Sequence, residues 1–429
     1  MRGAVLRKRV LPALFVLLVL GGAVALLWGP SETSIGHTVT YSDGTTLTLK
    51  GVTYGREHRY RGSGMWERLI SLLPRKLAAK LALRGQQLGT GRPSVAFWFE
   101  RRGTPPRTGD LVLCDASGFG ISGGYTMTRL SPPDASIEGW AFEYWPRRNR
   151  TFTLRVYERG TRYPDARLIG EFTVRNPTPG TYPVWTTSLL PRTASEGDLS
   201  VTLFDLTAGV GRGSNKRKPA PNPTVSMTRA GFRVERDGMP TREWGIADVN
   251  ASDATGNAIT CPRNTSSEPD AEYAELQPYP WPAESAWKLR VGFSQRSNFV
   301  ASELWTLHHV PLASDEPTTR LRSQTNLQGA RLQYQGTARR SGLEGNHHFT
   351  FRVTPRREDY SLTLVRAVED TGKEASVTDW FEGWGEWTFA LNVSTNATSL
   401  DLTVALHRTR YFEFLATPRS FSTNEPASR

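Results

Sequence analysis

The chain has 429 residues, with 39 Gly, 28 Pro, 38% hydrophobic residues and a formal net charge of +12 at pH 7. That apolar content is low for a single large enzyme core but enough for several small ones, and at ~150 residues per domain the length suggests about three. Two widely spaced cysteines, Cys114 and Cys261, make neither a disulfide framework nor a zinc site.

The N-terminus speaks to compartment. Arg2, Arg7, Lys8 and Arg9 precede an uncharged apolar run from Val10 to Trp28. As a helix at 1.5 Å per residue that run reaches about 28 Å, close to the ~30 Å hydrocarbon core of a bilayer. A basic cluster on one side only puts the N-terminus in the cytoplasm and the bulk of the chain outside it. Ala23-Val24-Ala25 has the form of a cleavage site, but Leu26, Leu27 and Trp28 carry the apolar run past it. Residues 1–30 are therefore expected to be a cytoplasmic stub and an uncleaved transmembrane anchor. The remaining positive charge suits acidic partners such as anionic lipid head groups or polyanionic glycans, or simply an Arg-rich solvated surface.

Beyond the anchor, long stretches at helical period are scarce and short apolar–polar alternations are many, with Gly and Pro marking turns. That pattern predicts an all-β chain. A landmark recurs three times as acid, any residue, Ser/Thr, Gly: in Cys114–Ile121 (CDASGFGI), Ser252–Ile259 (SDATGNAI) and Val368–Ala375 (VEDTGKEA). Each follows alternating residues: Leu111 and Leu113, Val249 and Ala251, Val365 and Ala367. Other strands keep step. Val95/Phe97/Phe99, Phe232/Val234 and Phe349/Phe351/Val353 precede the landmarks, and Phe152/Leu154/Val156, Trp287/Leu289/Val291 and Leu400/Leu402/Val404 follow them. Leading strands carry Leu47/Leu49, Leu199/Val201/Leu203 and Leu327/Ala330/Leu332, and Glu-Gly-Trp occurs at Glu138–Trp140 and Glu382–Trp384.

The expected organisation is three tandem immunoglobulin-like or fibronectin-like β-sandwiches. Their bounds are residues 35–180, 184–313 and 320–418, followed by a frayed tail over 419–429. Pro-rich Asn176–Pro183 and polar Pro311–Arg320 separate them. Unit 1 carries a helical insertion over 64–85, basic and amphipathic, which either caps the sandwich or lies on lipid. Unit 2 carries a basic Pro-rich loop, Gly211–Thr224.

Chemistry is sparse. Asp370-Thr371-Gly372 matches the tripeptide of aspartic protease loops, but a dyad needs a second equivalent and an apolar shelter, and here Glu369 and Lys373 flank it. The repeat explains it instead as a hairpin turn, with Glu369 and Gly372 structural and Asp370 an exposed bystander. His308-His309 and His347-His348 are neighbours on strands, so each pair points to opposite faces and neither chelates by itself. No nucleophile elbow, zinc-binding helix or phosphate loop occurs. No cofactor, metal site or catalytic residue is expected, and no nucleic acid partner. Among 13 tryptophans, Trp145, Trp380 and Trp387 are the candidate platforms for stacking on sugars or peptides.

In its layout the chain resembles bacterial membrane-anchored proteins with extracytoplasmic immunoglobulin-like repeats. The resemblance rests on the anchor and the repeated strand pattern, and implies no site residues. The function expected is a non-enzymatic, membrane-anchored interaction or scaffold protein with a protein or polysaccharide partner. The alternative is an extracytoplasmic hydrolase acting on glycans or peptides, with loop-borne carboxylates such as Glu138, Glu143 and Glu382 brought together by the fold.

Overall fold

The computed structural model describes residues 37–60, 87–103, 110–115, 120–122, 125–130, 135–159, 166–187, 189–211, 226–261, 265–276, 281, 284–312, 323–339, 346–355, 357, 359–383 and 385–420. The Val10–Trp28 segment, the expected helix over 64–85, the basic loop beyond Gly211 and the tail after Ser420 lie outside the described residues. Among the described residues, no helix is long and apolar enough to cross a membrane. The described residues are all-β, as expected, apart from one 3-10 turn at Ala301–Glu303.

Unit 1 contains β1 (Thr38–Thr40), β2 (Thr46–Arg59), β3 (Gln87–Arg102), β4 (Asp110–Cys114), β5 (Gly120–Ser122), β6 (Tyr125–Leu130), β7 (Ala135–Phe142), β8 (Thr151–Arg159) and β9 (Ala166–Arg175). They form two antiparallel sheets, ordered β1-β2-β3-β7-β6 and β5-β4-β8-β9. The sequence alternation sets what lies between them. Val95, Phe97 and Phe99 on β3 share one face, as do Leu111 and Leu113 on β4 and Phe152, Leu154 and Val156 on β8, and all are buried. Phe97 meets Phe152 of the opposite sheet edge-on, with centroids 6.0 Å apart.

Unit 2 opens with β10 (Arg192–Glu196), β11 (Leu199–Gly211), β12 (Ser226–Arg236), β13 (Met239–Pro240), β14 (Trp244–Asp253), β15 (Ala258–Cys261), β16 (Thr265–Glu268), β17 (Ala271–Leu276) and β18 (Trp287–Gln295). There follow β19 (Leu304–Pro311), β20 (Gln324–Leu327), β21 (Ala330–Arg339), β22 (Asn346–Thr354), β23 (Tyr360–Glu369), β24 (Ser376–Gly383), β25 (Glu386–Asn392), β26 (Ser399–Arg408), β27 (Arg410–Ala416) and β28 (Arg419–Ser420). The sheets are β10-β11-β12-β17-β16 with β15-β14-β18-β27, and β20-β21-β22-β25-β24 with β19-β26-β23. The same order therefore recurs three times, except that unit 3 has only the bridge Val368–Glu374 where units 1 and 2 have β5 and β15.

The ninth strand departs from the expected bounds. In unit 1, β9 follows β8 and pairs with it. β19 follows β18 but pairs with β26 of unit 3, and β27 follows β26 but pairs with β18 of unit 2. Units 2 and 3 thus exchange their last strands, so neither 184–313 nor 320–418 is a closed unit. The strand ends account for one half of the exchange. Only Thr409 separates β26 from β27, and a tight antiparallel hairpin is built on a loop of two or more residues. The chain cannot reverse there, so Arg410–Ala416 runs on into unit 2, where Phe412, Phe414 and Ala416 are buried. β28 then lies parallel to β11 through Thr207–Arg419 and Ala208–Ser420, so the first two residues of the expected frayed tail over 419–429 are instead paired in a sheet.

Two smaller expectations also change. Glu138-Gly139-Trp140 lies on β7, whereas Glu382 and Gly383 end β24, the counterpart of β6; the shared tripeptide is not a structural equivalence. Val365 does not continue the inward alternation. A bulge between Leu364 and Arg366 turns it out, and it is 43% exposed. Buried apolar side chains of units 1 and 2 form one contiguous cluster, and those of unit 3 a second.

Candidate functional site

The residues that flank each landmark pair at the same separation. Cys114 pairs with Gly120, Ser252 with Ala258 and Val368 with Glu374, a separation of six residues in each case. In unit 2, Asp253 N donates to Asn257 O at 3.0 Å and Gly256 N to Asp253 O at 3.1 Å. In unit 3, Glu369 N donates to Lys373 O and Gly372 N to Glu369 O, both at 2.8 Å. Gly256 and Gly372 have φ of +87° and +83°, a region that favours glycine. The acid holds the turn. Asp253 Oδ1 accepts from Thr255 N, Thr255 Oγ1 and Asn257 N at 2.9, 2.7 and 3.1 Å. Glu369 accepts from Thr371 Oγ1 at 2.7 Å and from Ser394 N at 2.8 Å. Burial opposes ionisation of Glu369, but these bonds outweigh it and hold its carboxyl below the usual range.

Asp370 is exposed but it is not a bystander. Its carboxylate accepts from Thr398 N at 3.0 Å and from Thr398 Oγ1, tying the turn to the start of β26. Those bonds, the hydroxyl first, lower its pKa. A cavity of about 330 Å³ opens beside this turn, lined by Lys373, Glu374, Ser376, Asn392, Ser394 and Thr395 among others. Glu369 is 3% exposed and engaged by Ser394, and Lys373 Nζ donates to Ser394 Oγ at 3.2 Å. The arrangement does turn chemistry, not proton transfer.

Units 1 and 2 meet at a buried seam, to which each contributes a described landmark residue that bonds the other unit, Asp115 and Asn257. Asn257, the residue after the landmark glycine, accepts from Trp145 N at 3.2 Å through Oδ1 and donates to Trp145 O at 3.0 Å through Nδ2. Trp281 Nε1 donates to Asp115 Oδ2 at 2.8 Å, so a unit 2 indole binds the unit 1 landmark acid. Arg147 donates to Thr255 O at 3.1 Å and lies 4.0 Å over the Trp145 ring. Burial lowers its pKa, opposed by the Asp253 carboxylate. Arg148 Nε bonds both oxygens of Glu284 at 2.9 and 3.0 Å. Glu284 is 6% exposed, and burial raises its pKa despite that partner. Asn257, Trp281 and the two arginines were not singled out by the repeat pattern, because nothing local shows that two distant segments meet.

The tryptophan platforms fare differently from expectation. Trp145 is 0% exposed, set in the seam against Tyr54 and Arg147. Trp387, on β25 opposite Phe351, is 1% exposed. Burial covers both faces of each indole, so neither offers a stacking surface. The backbone of Trp380 pairs with Phe389, while its side chain lies outside the described residues.

Other chemistry-bearing residues are also held in place. Glu138 forms a buried forked ion pair with Arg101 at 2.5 and 2.9 Å. His308 Nδ1 lies 2.9 Å from Asp401 Oδ2. Among the described residues no His, Cys, Asp and Glu group is placed to hold a metal ion. Among the described residues, the shortest hydroxyl–histidine contact is Ser94 Oγ at 2.6 Å from His58 Nε2. His58 Nδ1 faces Thr53 Oγ1 at 2.9 Å, a hydroxyl where a triad has a carboxylate. Both residues are 0% exposed, so no substrate reaches them. Cys114 is a free, buried thiol. The chain matches no family model, no curated protein and no solved structure.

Proposed function

We propose that this chain is a membrane-anchored, extracytoplasmic scaffold or interaction protein that holds three immunoglobulin-like β-sandwich units in a fixed relation. The observation that carries this reading is that both joints are built. Units 1 and 2 share a buried polar seam through Asn257–Trp145 and Trp281–Asp115, and units 2 and 3 exchange strands. Independent modules on a string need neither, and the ordering cost of such joints makes sense where spacing matters. The basic cluster before Val10–Trp28 supports the anchor and the orientation. Loops at the ends of rigid sandwiches would present the surface for a protein or polysaccharide partner.

Two measurements test it. Spin labels on units 1 and 3 should give one narrow distance at neutral pH, and a broad distribution rejects the fixed relation. The full chain should sediment with membranes and a chain lacking Met1–Trp28 should not; equal partitioning rejects the anchor.

A further inference from the structure

The chain crosses between units 2 and 3 twice, at Thr409 and through the segment from Arg296 to Glu303. His407 packs against the second crossing and lies two residues before the first, opposite the serine that bonds Thr409. It lies on β26 opposite Ser361 of β23 and is 1% exposed. Its Nε2 is 2.9 Å from Thr363 Oγ1, and its ring centroid is 5.0 Å from that of Phe299 in the other crossing. Ser361 Oγ lies 2.6 Å from Thr409 Oγ1, and Thr409 N donates to Asp359 O at 2.8 Å. One imidazole is thus packed where both connections pass.

We propose that this neck is an acid-sensitive joint: a proton taken up by His407 loosens both crossings and frees unit 3 to move against unit 2.

A buried imidazolium needs acceptors and a counter-charge. The neck supplies little of either that is uncommitted: the Asp359 carboxylate is taken by Arg357, and that of Asp248 accepts from the Tyr411 hydroxyl at 2.8 Å. From β23 come the hydroxyls of Ser361 and Thr363. From the Arg296–Glu303 crossing comes apolar Phe299, while the Glu303 carboxylate turns back to accept from Val300 N at 3.2 Å. On β26, Arg408 contributes its backbone but its side chain is cationic. Beyond Thr409, Arg410 is committed to Asp198 at 2.5 Å. Burial accordingly pushes His407 down to about 4, against a smaller opposing effect of the Arg408 backbone.

The sign follows from linkage. The folded neck holds His407 neutral, while an opened neck lets it titrate near 6.5. Closure is at full strength above that value and weakens as pH falls toward 4. At pH 5 the opened form gains about thirtyfold. The polar belt around the neck does not open in this window. Asp198 is held below the usual carboxylate range by Arg410, so its pairs with Arg410 and Arg236 persist. Asp401 is held below the usual carboxylate range by the His308 side chain and the His309 backbone, so this link between β19 and β26 persists. His407 is therefore the group that acts.

The test is amide hydrogen exchange on the full chain between pH 7.5 and 5, corrected for intrinsic rates. Protection over Arg296–Glu303 and Tyr360–Thr363 should fall about thirtyfold, while Phe152–Val156 of unit 1, in the sheet that does not carry His58, keeps its protection. His407→Gln, or His407→Phe should the glutamine fold poorly, should remove the pH dependence. His308→Gln should keep it. Neck protection that ignores pH in the wild type overturns the proposal. So does an acid loss that survives both His407 variants, or one shared equally by unit 1. Spacing at neutral pH is a separate readout, so failure here leaves the scaffold reading to its own test.

Discussion

The side-chain carboxamide of Asn257 pairs with both main-chain groups of Trp145, as one peptide unit pairs with another across a ladder. Both residues are essentially buried. Asn257→Ala should therefore leave both main-chain groups of Trp145 without this partner, and also takes a donor from Asp253 Oδ2. A loss of about 2–4 kcal/mol is expected from two such groups, read by denaturant unfolding. Asn257→Asp should do no better, because it removes the donor and brings a carboxylate beside Asp253.

Phe414 lies after unit 3 in the chain but packs in unit 2, 5.9 Å from Phe232 between ring centroids. Phe414→Ala should cost about 3–5 kcal/mol, and the loss should appear in unit 2. Exchange protection over Phe232–Val234 should fall, while that over Phe349–Val353 should stay. Loss confined to unit 3 would contradict the strand exchange.

Gly372 has φ +83°, and an added Cβ would meet nothing within 4 Å. Any cost of Gly372→Ala is then conformational, about 1 kcal/mol. Gly372→Val should cost more, because branching narrows the backbone further. Asp370→Ala releases Thr398 at an exposed site and should lower stability less than Gly372→Val does. Thermal melts of the three variants give the ranking.

Burial pushes the Cys114 thiol up to about 11. At pH 8 only about one molecule in a thousand carries the thiolate, the reactive form. A thiol reagent should leave Cys114 unmodified in the native chain and label it on unfolding. The raised value favours the protonated thiol in the fold. Its contribution to stability is present below the usual thiol range and is lost as pH rises through about 11.

Much of this architecture was legible in the chain because it is written at period two. Val95/Phe97/Phe99, Phe232/Val234 and Leu400/Leu402/Val404 each announce a strand with one buried face. The recurrence of acid, Ser/Thr and Gly located three hairpins in register, since a turn with a positive-φ glycine and a side-chain acceptor needs those types at that spacing. It also removed Asp370-Thr371-Gly372 from the list of catalytic signatures.

Partner choice was not legible. Alternation says that β19 and β27 each have a buried face but not whose core covers it, because any aliphatic core serves. One residue, Thr409, made a hairpin impossible and sent β27 into the neighbouring unit. Burial of Trp145 and Trp387 was likewise decided by contacts from distant segments, and so was the meeting of Asn257, Asp115 and Trp281. Local sequence determines turns and strand faces because their physics is local. The joints between units depend on long-range packing, and only the tertiary structure fixed them.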